Sequence, residues 1–299
     1  MSVTCPIRPI QDLSSEKEKA NQKMLKAEEI VKKSFSAWAN NFIIVLPFVF
    51  SALANVILIV PFFVSIIFSI APLSFVRANI GKFSSITSLT GLITNAKSFL
   101  SPSFLVYGVI FLVASLFINA YFSAGATGMA KEIWKGRKIS LNTMHKYGKY
   151  FYWRYLKALS LLVLIVIGIF AAVAGTFSLP FFITKNPGWI PLLILGMLIS
   201  FFLAIFFSLT LFCLVAENSS VKKSISKSCQ LVRKNYFSFL GILILFGLMI
   251  GGTSMITRII PFIGGRISTL ANLLIFRPVL TIAMMLFVLD RSKSKFKRR

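Results

Sequence analysis

Three arginines lie among the apolar segments near the C-terminal end of the sequence: Arg258, Arg266 and Arg277. A guanidinium group binds phosphate or carboxylate through parallel hydrogen bonds, so grouped arginines in apolar surroundings are typical of an anion site. A charge within a membrane-spanning helix is costly, and it is usually functional or reaches towards the headgroups. The chemistry that these residue types could perform is the binding of an anion or a lipid headgroup.

Two interpretations of Arg277 remain open, because Pro278 follows it directly. In the first, the guanidinium reaches up to lipid phosphates or bonds backbone carbonyls that Pro278 has freed. In the second, Arg258, Arg266 and Arg277 form an anion or headgroup site that faces the outer leaflet. The predicted register places Arg277 about eight helical residues, roughly 12 Å, below the outer end of its span.

Patterns typical of catalysis or of cofactor binding are absent from the sequence. His145 is the only histidine, and the cysteines, Cys5, Cys213 and Cys229, lack metal-type spacing, so we expect free thiols. No glycine-rich phosphate loop follows a strand, and no acid or histidine lies in an apolar segment where it could relay protons. The sequence therefore predicts a protein that is not an enzyme and that holds no metal or cofactor.

The composition is typical of an integral membrane protein. Hydrophobic residues make up 57% of the 299 residues, against about 45–50% in soluble domains. The chain has 33 basic and eight acidic residues, a net charge of +25. Such asymmetry favours attraction to anionic lipid headgroups or to other polyanions.

Apolar segments long enough to cross a bilayer, which needs about 20 residues, occur six times. We predict spans at about 42–70, 103–128, 155–176, 189–215, 237–255 and 269–289. Asn55 and Asn119 lie within the first two spans, where a side-chain amide is costly facing lipid. We therefore expect both amides to take part in polar packing between helices.

A basic segment that precedes an apolar run occurs twice, as Lys33 to Phe42 and, 194 residues later, as Lys227 to Tyr236. A weaker third copy results when Thr143 is aligned with Ser34. Helical periodicity predicts amphipathic helices at about 15–41, 139–152 and 221–235. We leave open whether the first one leans on the cytosolic end of the protein or lies in the headgroup layer. The basic and aromatic second copy is typical of an interfacial belt, although such residues also stack on single-stranded nucleic acid.

These elements predict an all-α integral membrane protein with six transmembrane helices in three hairpin units, each preceded by an amphipathic cytosolic or interfacial helix. A mobile tail, 1–14, precedes a single membrane domain, 15–290, and a basic tail, 291–299, follows it. Seven of the 33 basic residues fall on one side of the predicted spans, and the rest fall with both termini. The positive-inside rule then predicts a multi-pass protein of the cell membrane with both termini in the cytosol.

The spacing from Ser34 to Asn41 and from Ser228 to Asn235, together with the junction Ala216 to Val221, resembles a known family. It is similar to the membrane domain attached to some glycerophosphodiester phosphodiesterases, and to stand-alone archaeal and bacterial proteins built on that domain. The resemblance covers about residues 24–290 and implies a six-span membrane domain. The barrel catalytic domain of those enzymes, with its metal-binding carboxylates, is missing here, so the resemblance implies no activity.

We therefore expect a non-enzymatic membrane protein that engages anionic lipids, as a scaffold or as a carrier of lipids or other amphiphiles. The alternative is a pore subunit of a DNA-transfer machine, of the conjugation or import type, in which basic helices guide the polyanion. The expected partners are membrane lipids, with nucleic acid a partner only under the alternative.

Overall fold

The computed structural model describes residues 25–70, 102–184, 190–258 and 264–296, and regular structure within these ranges is helical. The helices are α1 (Ala27–Asn40), α2 (Leu46–Ile70), α3 (Pro102–Trp134), α4 (Leu141–Thr184), α5 (Ile190–Ile205), α6 (Thr210–Glu217), α7 (Val221–Lys234), α8 (Tyr236–Arg258), α9 (Gly264–Ala271) and α10 (Arg277–Phe296). A 3₁₀ turn, Phe42–Val45, joins α1 to α2, and a π-helical segment, Asn272–Phe276, joins α9 to α10. The predicted all-helical class is confirmed for these ranges.

Six helical segments are long and apolar enough to cross a membrane. They are Phe42–Pro61, Gly108–Trp134, Leu141–Val173, Ile194–Glu217, Tyr236–Thr257 and Gly265–Ser292. Large apolar side chains are exposed along most of them, as shown by Ile57, which is 72% exposed, and Leu164, which is 66% exposed. Length and composition therefore identify a multi-pass membrane protein with the predicted number of apolar helices.

The core lies towards one end of the bundle and surrounds α10. Buried residues of α10, among them Val279, Met285 and Phe287, pack with buried residues from α1, α6, α7 and α8. We call the part of the bundle that contains α1, α6, α7, α10 and the adjoining ends of α3 and α4 the packed end. The largest exposed apolar surface lies on the parts of the spans beyond the packed end.

Helix α1 runs antiparallel to α10, and two hydrogen bonds fix this arrangement. The backbone N–H of Leu25 donates to Asp290 Oδ2 at 3.3 Å, and Trp38 Nε1 donates to the carbonyl of Leu274 at 3.1 Å. Ile30 and Ser34 on the inner face of α1 are fully buried. Helix α1 therefore leans on the protein, which favours the first of the two positions left open by its sequence.

The first and third amphipathic segments end in the same way. Asn41 and Asn235, which follow α1 and α7, both leave the helical conformation, with φ and ψ of −138° and 56° and of −130° and 32°. Each side-chain amide donates to the carbonyl four residues earlier, Asn41 to Ala37 at 3.0 Å and Asn235 to Leu231 at 3.1 Å. At Asn41 the amide bonds a carbonyl that the backbone N–H of the same residue leaves free, whereas at Asn235 the amide and the backbone N–H both donate to the Leu231 carbonyl. In both cases the helix ends at the asparagine and the chain turns into the next span.

The second amphipathic segment differs from this prediction. Residues 139–152 do not form a separate helix, because α4 continues without a break from Leu141 to Thr184. Its 44 residues correspond to about 66 Å of helix, more than twice the hydrocarbon thickness of a bilayer. The physical reason is that Tyr150 occupies the position of Asn41 and Asn235, and a phenol cannot bond its own helix end in this way.

The described residues at the two ends of the predicted membrane domain lie in α1 and α10. The helix predicted at 15–41 begins, within the described residues, at Ala27, because Lys26 is extended and its N–H donates to Glu29 Oε2 at 3.3 Å. Residues 15–24 and the tail 1–14 lie outside the described residues. The predicted basic tail, 291–299, is helical as far as Phe296, since the Arg291 guanidinium is buried and donates to the Leu25 carbonyl at 2.9 Å.

Two predicted spans contain irregular backbone. The fourth, predicted at 189–215, is interrupted by a turn at residues 206–209 between α5 and α6, and Ser228 Oγ donates to the freed carbonyl of Phe206 at 2.7 Å. The sixth, predicted at 269–289, contains the π-helical segment. Pro278 has no N–H for the carbonyl of Leu274, and the indole of Trp38 donates to that carbonyl instead.

Candidate functional site

The three predicted anion-site arginines lie at different levels of the last two spans. Arg258 is the last residue of α8, Arg266 lies in the first turn of α9, and Arg277 begins α10. Arg266 and Arg277 are exposed, and about 16 Å of helix separates them. Among the described residues, no hydrogen bond or ion pair joins Arg266 to Arg277. The outer-leaflet site formed by all three stays a prediction.

The position of Arg277 along the bundle follows from its neighbours in the chain. It lies one turn beyond Leu274, whose carbonyl accepts the hydrogen bond from Trp38 near the end of α1. Arg277 is therefore level with the end of α1 and the start of the first span. The Leu274 carbonyl that Pro278 frees accepts a hydrogen bond from the Trp38 indole.

The two predicted intramembrane amides contact each other's helices through a reciprocal set of hydrogen bonds, which we call the Ser–Asn clasp: Ser51 and Asn55 of α2 with Ser115 and Asn119 of α3. Ser51 Oγ donates to Asn119 Oδ1 at 2.8 Å, and Ser115 Oγ donates to Asn55 Oδ1 at 2.8 Å. Each amide nitrogen also donates to the serine carbonyl one turn earlier in its own helix, at 2.7 Å for Asn55 and 2.8 Å for Asn119. The clasp satisfies its own members and is a packing feature.

At the packed end, α3 and α4 approach each other closely at glycines. A Cβ at Gly128 would lie 2.1 Å from Tyr147 Cγ, and one at Gly125 would lie 2.7 Å from Met144 Cγ. The small residues from Ser123 to Gly128 therefore allow α4 to approach α3 closely. This approach brings the basic start of α4 against the basic end of α3.

The buried carboxylate of Glu132 joins the two helices. Tyr147 donates to Glu132 Oε1 at 2.5 Å, Arg137 pairs with Oε2 at 3.1 Å, and Lys135 lies 3.6 Å from Oε1. Its negative charge is thus balanced within the α3–α4 turn. The carboxylate of Glu217, on α6, pairs in the same way with Lys227 and accepts a hydrogen bond from Ser292.

Next to this turn lies a cavity of about 280 Å³, which we call the basic cavity. Its lining residues come from α3, α4 and the residue that follows α6: Lys131, Lys146, Tyr147, Tyr150, Phe151 and Asn218. Lys131 is half-buried and donates to the Val215 carbonyl at 2.7 Å, whereas Lys146 is exposed. Two ammonium groups, two phenols and an amide therefore surround the apolar ring of Phe151, and none of the described residues that line the cavity is a carboxylate.

Asn218 organises the rim of the basic cavity. It has a left-handed backbone conformation, with φ of 51°, which asparagine adopts more readily than most residues. Its Oδ1 accepts from Arg154 Nη1 at 2.8 Å, and its Nδ2 donates to the Tyr150 hydroxyl at 3.1 Å. The Arg154 guanidinium lies 5.7 Å from the centre of the Tyr150 ring, so a third positive charge stands beside the rim.

The exposed surface of α4 changes character close to the basic cavity. Lys146, Lys149 and Tyr150 are exposed first, and Trp153 follows at 63% exposed. Arg154 and Lys157 are the last exposed charged residues before Leu161 and Leu164 begin the aliphatic surface. Exposed tryptophan and tyrosine are enriched at the headgroup level of membrane proteins. The basic cavity therefore lies where the charged surface meets the apolar one.

The sequence did not predict the basic cavity, although it did indicate some of the residues that line it. The basic and aromatic second segment marked the start of α4, and the junction Ala216 to Val221 contains Asn218. Nothing in the sequence brings the two together, because Asn218 lies 68 residues beyond Tyr150. Within the described ranges, no three His, Cys, Asp or Glu residues lie close enough to hold a metal ion. Cys213 and Cys229 are free thiols, as predicted, and Cys5 lies outside the described residues.

Comparison with known protein families gives one match. The profile of the domain of unknown function DUF7847 matches residues 80–290, more than two thirds of the chain. The chain belongs to this family. No curated protein and no solved structure matches it.

The matched region of DUF7847 extends from before α3 to the middle of α10, so it includes both sides of the basic cavity. The family description carries no activity, and the resemblance to the membrane domain of glycerophosphodiester phosphodiesterases stays a prediction.

Proposed function

We propose that this protein is a non-enzymatic, multi-pass membrane protein that engages anionic lipids, as a scaffold or as a carrier of lipids or other amphiphiles. The observation that carries the proposal is the junction on α4, where exposed Lys146 and Lys149 give way to Trp153 and then to Leu164. A cationic surface at the headgroup level attracts anionic lipids by about 1 kcal/mol for each basic residue near the surface.

The proposal includes an orientation and an arrangement of the spans. The packed end, which carries the basic helix α7 and the basic start of α4, faces the cytosol, as the positive-inside rule predicts. Within each of three hairpin units the helices contact each other: α2 with α3, α4 with α5, and α8 with α9. Both termini then lie on the cytosolic side of the cell membrane.

Lipid engagement is tested by tryptophan quenching in reconstituted vesicles. The protein is placed in phosphatidylcholine that contains a small fraction of brominated phosphatidylglycerol, or of brominated phosphatidylcholine as the control. We expect stronger quenching by the anionic lipid at equal mole fraction, and we expect the difference to shrink as salt screens the charges. Equal quenching by both lipids would contradict the proposal.

The scaffold and the carrier differ in whether lipid moves. A carrier transfers fluorescent phosphatidylglycerol between leaflets of the same vesicles without ATP, whereas a scaffold enriches the lipid around itself and leaves the transfer rate at that of protein-free vesicles. The alternative of a DNA-transfer pore predicts instead that the purified protein binds duplex DNA with a steep dependence on salt.

A further inference from the structure

We propose that the basic cavity is a binding site for the phosphodiester headgroup of one anionic phospholipid from the cytosolic leaflet. This inference rests on the proposed function and names the place where a single lipid is held. General attraction to an anionic membrane needs only exposed charge, whereas a cavity with a defined set of donors selects one headgroup.

The donors of the basic cavity match a phosphodiester. Lys131 and Lys146 supply two ammonium groups, and Lys131 is held in place by its bond to the Val215 carbonyl. A phosphate oxygen that accepts from an ammonium group forms a charge-assisted hydrogen bond, which is about twice as strong as a neutral one. In the described part of the chain, the residues that line the cavity include none with a negative charge to oppose the ligand.

The nearby carboxylate does not cancel this positive charge. Glu132 borders the neighbouring cavity of about 300 Å³, and its two oxygens are already engaged by Tyr147, Lys135 and Arg137. Its bond to the Tyr147 hydroxyl also orients the ring of Tyr147 against Gly128 and so fixes one wall of the basic cavity.

The shape and position of the basic cavity favour a lipid over a free anion. Phe151 forms an apolar floor, and Tyr150 is 58% exposed at the rim, next to the exposed Trp153. A lipid can place its phosphodiester between the two lysines and its glycerol on Tyr150 while its acyl chains follow the apolar surface of α4. Inorganic phosphate would gain nothing from these apolar contacts.

The test compares two exposed lysines on the same helix. Lys146 lines the basic cavity and Lys149, one turn further along α4, does not, so Lys146→Glu and Lys149→Glu make the same change of charge inside and outside the site. Native mass spectrometry of the delipidated full chain in an uncharged detergent measures the affinity for the first bound phosphatidylglycerol. We expect Lys146→Glu to weaken it about tenfold and Lys149→Glu to weaken it less than about threefold.

A second variant tests the basic cavity without reversing a charge, which could alter lipid binding by repulsion alone. Asn218→Gly keeps the left-handed backbone accessible but removes the amide that holds Arg154 and Tyr150 at the rim. We expect it to weaken the first bound phosphatidylglycerol about threefold or more, with an unchanged midpoint of thermal unfolding.

Three outcomes would overturn the inference. The first is an equal loss of affinity in Lys146→Glu and Lys149→Glu, and the second is equal first-copy affinity for phosphatidylglycerol and phosphatidylcholine. The third is binding of inorganic phosphate as tight as that of the lipid, which would assign the cavity to a free anion. The quenching experiment separates this inference from the proposed function. If brominated phosphatidylglycerol still quenches more strongly in spite of one of these outcomes, the proposed function stands and only the single-lipid site is refuted.

Discussion

At the scale of single residues, backbone carbonyls freed by irregular helices are bonded by side chains from the packed end. Trp38 donates to Leu274, Ser228 donates to Phe206, and Lys131 donates to Val215. A carbonyl without a partner is costly where water is scarce, so broken helices persist in membranes only where a neighbour bonds the freed group. The amphipathic helices α1 and α7 thus make possible the irregular fourth and sixth spans.

Substitution of Trp38 tests this dependence. Trp38→Phe removes the indole donor and leaves the Leu274 carbonyl without its partner, so we expect the free energy of unfolding to fall by about 1–2 kcal/mol. Trp134→Phe is the matched control, because within the described ranges the buried Trp134 Nε1 has no hydrogen-bond partner. Its loss should cost less than about 0.5 kcal/mol.

The measurement is the unfolding midpoint of both variants in the same detergent. Equal destabilisation by the two substitutions would mean that lost ring volume, and not the hydrogen bond, accounts for the effect of Trp38→Phe.

At the scale of elements, the contact between α3 and α4 depends on one small residue in each turn of α3. Gly125 and Gly128 lie one turn apart, and the side chains of Met144 and Tyr147 rest on them. Close backbone approach through small residues is a common means of packing membrane helices, which gain little from the hydrophobic effect within lipid. The same contact builds one wall of the basic cavity.

Two alanine substitutions on α3 separate this contact from helix propensity. In Gly128→Ala the added Cβ would lie 2.1 Å from Tyr147 Cγ, and we expect a loss of about 1–3 kcal/mol of stability as the helices move apart. In Gly108→Ala no atom of the described residues lies within 4 Å of the added carbon, so the better helix propensity should leave stability unchanged or slightly higher. The measurement is the midpoint of thermal unfolding of both variants. An unchanged midpoint in Gly128→Ala would contradict the close packing of α3 on α4.

The amphipathic segments show how far sequence periodicity reaches at this scale. The buried faces of α1 and α7 centre on equivalent serines, Ser34 and Ser228, both fully buried. The aligned sequences predicted that both helices precede a span, and Asn41 and Asn235 predicted where they end. The continuity of α4 was not predicted, because periodicity alone does not show that a tyrosine in place of the asparagine lets the helix run on.

At the scale of the whole molecule, the packed end and the exposed apolar surface together imply an orientation. Lys222 on α7 belongs to the packed end, and Gly265 on α9 is the first residue of the sixth apolar segment, at the end of that segment far from the packed end. With the packed end in the cytosol, a membrane-impermeant maleimide added to intact cells should label Gly265→Cys and should label Lys222→Cys only after permeabilisation.

The background for this experiment is Cys5→Ser with Cys229→Ser, and the buried Cys213 can remain. Burial raises the pKa of the Cys229 thiol, so this native cysteine would react slowly with the maleimide at neutral pH. Its slow labelling would add to the signal of the introduced cysteines, and Cys229→Ser removes it. The reverse labelling pattern would place the packed end outside and would move the basic cavity to the outer leaflet.

The sequence by itself determined the helical class, the number of apolar spans, the charge asymmetry and the repeated entry segment. These features are local: a bilayer forces each spanning segment to bond its own backbone, so length, hydropathy and a helical period suffice to recognise it.

Only the tertiary structure decided which side chains meet across the chain. The bond from Trp38 to Leu274 joins residues 236 apart, and the contact of Asn218 with Tyr150 joins residues 68 apart. These contacts set the level of Arg277 and create the basic cavity. They depend on how helix faces pack once the spans are formed, and amphipathic helices of the same period can pack in many registers.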